Sequence, residues 1–246
     1  MNTKEADSLG ETIHTLLEDG EIEPAYRRLV PVLAQPVHFV YLDRIGKKIG
    51  AAIFERVNVL LDLVASAKTE GGWVIIGSAL GQHLELHRSD VFQRCYGFIL
   101  AGDIWYTTDI LGERVPGPSL LDDFTASLDL LSPWRFDRNY WIRRSVGVAG
   151  HYFTKRAHGR PEFVEKIRLL LDFLEPMLEE QETVAIRGGV GWALKTIGRF
   201  YPTVLTDWLD VQINQKGRRP KNLMMRKAMM YLSQDQRDQI SGKAGR

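Results

Sequence analysis

With 246 residues, 44% of them apolar and 26% charged, the chain is long enough to bury a sizeable core. It is too polar to live in a bilayer: its longest apolar stretch, around Trp73 to Leu80, is far too short to span one. The single Cys95 excludes an intramolecular disulfide and a thiolate zinc site. The net charge of +1 hides an asymmetry, for residues 183–246 hold 12 Lys/Arg against 4 Asp/Glu, leaving the first 182 residues net acidic. A basic end is either a solvated face or the electrostatic footprint of a polyanion partner.

Met1 to Gly10 is polar and acidic, without a basic-then-apolar leader, and with a lone cysteine this predicts a cytoplasmic protein. Along the chain the apolar residues keep helical spacing. Ile13, Leu16 and Leu17 open an amphipathic helix that ends near Gly20, and Pro24 begins the next, with Tyr26, Leu29, Val32 and Leu33 on its apolar side. Phe39 to Ile49, Ile53 to Ala67, Trp73 to Leu84 and Val91 to Leu100 continue the pattern. No run alternates with period two and no Asn-Gly or Asp-Gly turn joins apolar runs, so the fold class is all-α.

The helices recur. Pro118, Pro161 and Pro202 stand 43 and 41 residues apart, each suited to the first turn of a helix, and Pro24 lies 94 before the first of them. Arg44, Arg94, Arg143, Arg187 and Arg226 recur on apolar helices at spacings of 50, 49, 44 and 39. A unit of this length is a HEAT-like helix pair, which cannot bury its apolar face alone and stacks into a helical-repeat solenoid. About five units fit, forming one domain over 1–240, with Met1 to Val37 and Pro220 to Ile240 as caps and Ser241 to Arg246 as a disordered tail. The recurrent arginines fit a ladder linking adjacent units through carboxylates, or a cationic lining for a concave groove.

Two local signals carry little chemistry. His83 and His87 are four apart but lack the His-Glu-x-x-His order and a nearby third ligand except Asp90, so no metal is expected. Gly188-Gly189-Val190-Gly191 lacks a preceding strand and the third glycine of a dinucleotide loop, and suits close helix packing or approach of a ligand. A distributed constellation says more. Trp105 and Asp109, four apart, put an indole and a carboxylate on one helix face. Trp141-Ile142-Arg143-Arg144 and Gly191-Trp192-Ala193-Leu194-Lys195 sit on what the period makes the equivalent helices of the next units. These segments are expected to converge on one concave groove, with a basic rim of Arg135, Arg138, Arg144, Lys155, Arg156, Arg160 and Lys195. Spaced cations match a phosphate backbone, and indoles stack on bases or face a cationic ring.

Ala185 to Lys195, running on to Phe200-Tyr201-Pro202, resembles the hallmark helix of AlkD-like DNA alkylation repair proteins. Tyr140-Trp141-Ile142-Arg143-Arg144 is similar to that family's Trp-x-Arg-Arg helix start, and Trp105 with Asp109 to its Trp-x-x-x-Asp pair. The resemblance runs from about Phe39 to Leu232. It implies a HEAT-like solenoid that excises cationic N3- or N7-alkylated purines from double-stranded DNA. Asp109 is then the catalytic carboxylate, Trp105 and Trp192 contact the lesion-bearing nucleotide, and Arg144 and Lys195 hold phosphates. Arg143 and Arg187, on the same two helices, complete the expected DNA-contact set. Tyr106 stands where the family often has an acid, and Lys195 where it usually has Arg, which turns a bidentate clamp into a point charge.

The chemistry suits these residues. A cationic alkylpurine leaves without a general acid, and one carboxylate stabilises the oxocarbenium-like sugar and orients water. The resemblance further implies action on a nucleotide left in or near the stack rather than fully flipped. No cofactor and no metal is called for, and a monomer suffices. From a different class, the same cations would serve a non-catalytic HEAT-like module that binds DNA structures or a protein partner, with no need of Asp109.

Overall fold

The computed structural model describes residues 1–180 and 183–242, and these form helices and turns with no strand among them. The chain divides into two compact units, Met1–Val115 and Pro116–Arg246.

The first unit holds α1 (Thr3–Glu18), α2 (Ile22–Leu33), α3 (Phe39–Ile49), α4 (Phe54–Ser66), α5 (Glu70–Leu80), α6 (Leu84–Gly102) and α7 (Trp105–Arg114). Helices α1, α3, α5 and α7 pack each on the next, while α2, α4 and α6 form a second row behind them. The order follows from sequence. Ile13 and Leu17 of α1, Leu42, Ile45 and Ile49 of α3, and nearly all of α5 from Gly72 to Leu80 are buried. Each such Leu or Ile contributes roughly 1.5–3 kcal/mol by leaving water. Asn2 and Glu5 close a capping box at the head of α1, and the Thr69 hydroxyl accepts from the Gly72 amide at 3.1 Å to start α5. Cys95 sits in this core, its thiol pushed up by burial.

Polar links join successive helices of a row. Arg44 donates to Asp7 at 2.8 Å and holds that carboxyl below its usual range, Lys48 meets Glu11 at 2.9 Å, and Arg94 meets Asp62 at 2.5 Å. The Arg44 and Lys48 partners lie 37 residues back, one repeat away. For Arg44 and Arg94 the ladder expected from sequence is what forms.

The second unit holds α8 (Pro116–Asp122), α9 (Phe124–Leu131), α10 (Tyr140–Ala157), α11 (Val164–Leu174), α12 (Val184–Phe200), α13 (Pro202–Asp210), α14 (Asn222–Ala228) and α15 (Gln234–Ile240). One row runs α8, α10, α12, α14 and the other α11, α13, α15, with α9 packed on α8. At the centre α10 and α12 cross backbone to backbone. A Cβ on Gly147 would stand 2.2 Å from the Gly189 carbonyl carbon, so only glycine fits there. The glycine run of α12 therefore serves packing.

The prolines mark helix starts as expected. Pro202 heads α13, Pro161 heads the short turn into α11, and Pro24 and Pro118 lie in the first turns of α2 and α8. The expected count of about five units is too low, because first-row helices begin at Thr3, Phe39 and Glu70, closer together than the proline and arginine spacings. Those markers switch rows: Arg94 lies on α6, the second helix of its pair, whereas Arg44 lies on α3. Ser241 and Gly242 form a turn after α15, and the rest of the expected tail lies outside the described residues. No described helix is long and apolar enough to cross a membrane.

Candidate functional site

The start of α7 is set by local geometry. Helix α6 ends at Asp103 in the left-handed region (φ 46°, ψ 39°), and Ile104 is extended, so the chain turns back at once. Gly102 permits the turn, since a Cβ there would lie 2.5 Å from Thr107 Cγ2. Thr107, Thr108, Ile110 and Leu111 then pack inward, and the Thr108 hydroxyl donates to the Ile104 carbonyl at 3.2 Å. The opposite face of α7 carries Trp105, Asp109 and Glu113 at successive turns. Trp105 is 55% exposed, with Tyr106 edge-on at 5.8 Å, and Asp109 is half-buried. At the far end Arg114 grips Asp43 of α3 at 2.7 and 3.2 Å, and the Ser78 hydroxyl donates to the same carboxylate at 2.6 Å. This half-buried pair fixes the pitch of α7, and with it the direction of the Trp105–Asp109 face.

In the second unit the Gly147–Gly189 crossing has a consequence one turn further on. His151 of α10 stacks on Trp192 of α12, with ring centres 4.0 Å apart and planes 17° from parallel. The Thr196 hydroxyl lies 3.0 Å from the Trp192 carbonyl and 2.6 Å from His151 Nδ1. Its one proton goes to the carbonyl, so Nδ1–H donates to the hydroxyl oxygen. Burial, and then Lys155, Lys195 and Lys227, push the His151 pKa down to about 4.

Around this stack opens a cleft of about 560 Å³ lined by Lys155, Arg156, Lys195, Arg199, Trp192, Phe200 and Tyr231, with His151 and Thr196 at its wall. Lys195 and Arg199 lie over the Tyr231 ring at 5.8 and 5.4 Å. No acid lines the cleft, and none of its four Lys/Arg side chains has a carboxylate partner among the described residues. Four uncompensated cations beside three flat rings make a surface suited to a phosphate chain bearing stackable groups.

The residues singled out from sequence fall in both units. Trp105 and Asp109 share a face of α7, while Trp192 and Lys195 share the cleft with Lys155 and Arg156. Arg144 donates to the Ala185 carbonyl at 3.0 Å, bridging α10 to α12, and Arg187 is half-buried in the first turn of α12. Arg143 is nearly buried and pairs with Glu180 at 2.8 Å. Arg135 donates to the Phe173 carbonyl at 3.0 Å and lies over that ring at 4.1 Å, and Arg160 is 3.6 Å from Glu162. Arg138 stays exposed, and Trp141 packs on Tyr140 at 4.7 Å. His83 and His87 flank the Phe54 ring at 4.8 and 4.5 Å, and no three metal-ligating side chains cluster among the described residues. Sequence reasoning missed His151, Arg199 and Tyr231. The i,i+4 spacings His151–Lys155 and Lys195–Arg199 were the available signal for two of them.

The sequence of this all-helical chain matches a family of known proteins. A model of that family, described as DNA alkylation repair enzyme, matches residues 40–232, and the chain belongs to it. Among solved structures it is similar to the Pseudomonas fluorescens alkylpurine DNA glycosylase AlkC bound to DNA containing an abasic site analog. The TM-score is 0.54 at 15% identity, over 99% of this chain, which spans 66% of the length of that one. No curated protein matches the sequence significantly.

Proposed function

We propose that the protein is a DNA glycosylase that excises cationic N3- or N7-alkylated purines from double-stranded DNA. The observation that carries this is on α7: one face is spent on packing, and the other keeps Trp105 and Asp109 together at a partly exposed surface. Asp109 supplies the carboxylate that stabilises the oxocarbenium-like sugar and orients water as the base departs. The alkylated base leaves as a neutral molecule, because it carried its positive charge beforehand, so no general acid takes part. Trp105 and Trp192 contact the lesion-bearing nucleotide through their π-faces, each such contact worth ~0.5–2 kcal/mol. Lys195, with Arg144 and Arg187, serves the backbone, Lys195 most directly because it lies in the cleft, whereas Arg143 is committed to Glu180. The open cleft and exposed Trp105 suit a nucleotide that is not fully flipped from the stack. On these terms the protein works as a cytoplasmic monomer, without cofactor or metal. Family membership and the likeness in fold to AlkC support the assignment.

The test is release of 7-methylguanine or 3-methyladenine from a methylated duplex. Asp109→Asn is expected to slow release by about 10²-fold or more while duplex affinity stays within twofold. Equal release by wild type and Asp109→Asn removes Asp109 from the chemistry. One observation favours a second reading: among the described residues the cleft of the second unit holds cations and rings but no acid, which suffices for DNA binding alone. Salt-dependent duplex binding by the wild type, with no base released, selects that alternative.

A further inference from the structure

Resting on the assignment of Trp192 to the lesion-bearing nucleotide, we propose that His151 is a positioning residue for Trp192: its imidazole backs one face of the indole and leaves the other face for a positively charged nucleobase. Three observations carry it. The rings are stacked, not merely adjacent, at 4.0 Å and 17°. The imidazole is itself held, because Nδ1–H donates to Thr196, whose hydroxyl is tied to the Trp192 backbone carbonyl. Histidine, indole and threonine therefore form a closed loop on two helices already locked by the Gly147–Gly189 crossing.

The charge state matters as much as the shape. An indole face attracts a cation through its quadrupole, and an imidazolium stacked behind it would occupy that attraction and repel the incoming base. Three ammonium groups work against such an imidazolium. Lys155 comes from its own helix, Lys195 from α12 and Lys227 from α14, and with burial these hold it neutral. The positive charge of the cleft is thus placed around the rim, where phosphates lie, and kept off the stacked pair. A histidine fits this place better than a phenylalanine in one respect, for it can anchor its plane by a hydrogen bond; it fits better than lysine or arginine because it can shed its charge.

The experiment uses the full chain with 5-fluorotryptophan incorporated, the Trp192 fluorine resonance being assigned by its loss in Trp192→Phe. His151→Ala and His151→Phe are compared with wild type, after far-UV circular dichroism shows equal helicity. The expected result is one narrow Trp192 resonance in wild type and His151→Phe, and a broadened or split one in His151→Ala. In parallel, affinity is measured for an unmodified duplex and for one with a single 2′-fluoro 7-methylguanosine, which carries the cation but resists excision. Wild type is expected to prefer the cationic duplex by roughly 2- to 30-fold. His151→Ala should lose most of that preference with its affinity for unmodified DNA unchanged, and His151→Phe should keep it. An unchanged Trp192 resonance and preference in His151→Ala overturns the positioning role, whatever base release shows. A wild type with the ordered resonance but no preference for the cationic duplex, or none dependent on Trp192, instead overturns the lesion contact assigned to Trp192 above.

Discussion

The two units spend their charges differently. In the first, cations of the row α1, α3, α5, α7 are tied to carboxylates: Arg44 to Asp7, Lys48 to Glu11, Arg114 to Asp43. In the second, Lys155, Arg156, Lys195 and Arg199 gather around one cleft with no acid in its lining among the described residues. The same repeat architecture thus yields a charge-balanced wall in one place and a net positive hollow in another. Net charge of the whole chain conceals this; what matters is which cations have already been neutralised by a neighbour one repeat away. Among exposed pairs of the first kind each contributes little to stability, whereas unpaired cations of the second kind keep their full attraction for a polyanion.

Three variants separate these roles, beginning with the largest effect. Gly147→Val drives a branched side chain into the Gly189 backbone, where even a Cβ would sit at 2.2 Å. It should cost roughly 3 kcal/mol or more. Thermal unfolding should drop by about 6 °C or more for a chain of this length. The loss of the His151–Trp192 stack should appear in near-ultraviolet circular dichroism. A protein of wild-type stability would mean that α10 and α12 do not cross so closely. Next, Lys195→Ala combined with Arg199→Ala removes two cations from the cleft. Duplex affinity should fall by about 10- to 100-fold in 0.1 M salt, and the slope of log K against log salt should decrease by about 2. An unchanged slope would show that these two side chains touch no phosphate. Smallest is Arg94→Ala, which breaks an ion pair with Asp62 on the surface of the first unit. It should cost about 1 kcal/mol or less in chemical denaturation and leave duplex affinity untouched. A DNA-binding defect there would erase the distinction between tied and untied cations.

Much of the fold was legible because its determinants are local. Helix α3 runs from Phe39 to Ile49 as its apolar spacing predicts, and all four prolines of the recurring series fall in first turns. Trp105 and Asp109 were legible for the same reason, since a four-residue spacing on one helix needs no tertiary information. What escaped was non-local. The number of helix pairs was undercounted because prolines and arginines occur on either row, and nothing in a single helix says which row it joins. His151 looked like an ordinary residue of α10, and its place against Trp192 depends on two glycines 42 positions apart meeting in the folded chain. The surroundings of each cation were hidden for a kindred reason. Whether a cation is available depends on what lies one repeat away: Arg135 of the expected rim finds the Phe173 carbonyl, while Lys155 meets no acid among the described residues.

The placement of Cys95 has a bearing on the working conditions of such a protein. A thiol reacts with alkylating agents as its anion, and this one lies wholly inside the first unit with its ionisation suppressed. The molecule consequently withholds its one thiol from the electrophiles that damage its proposed substrate.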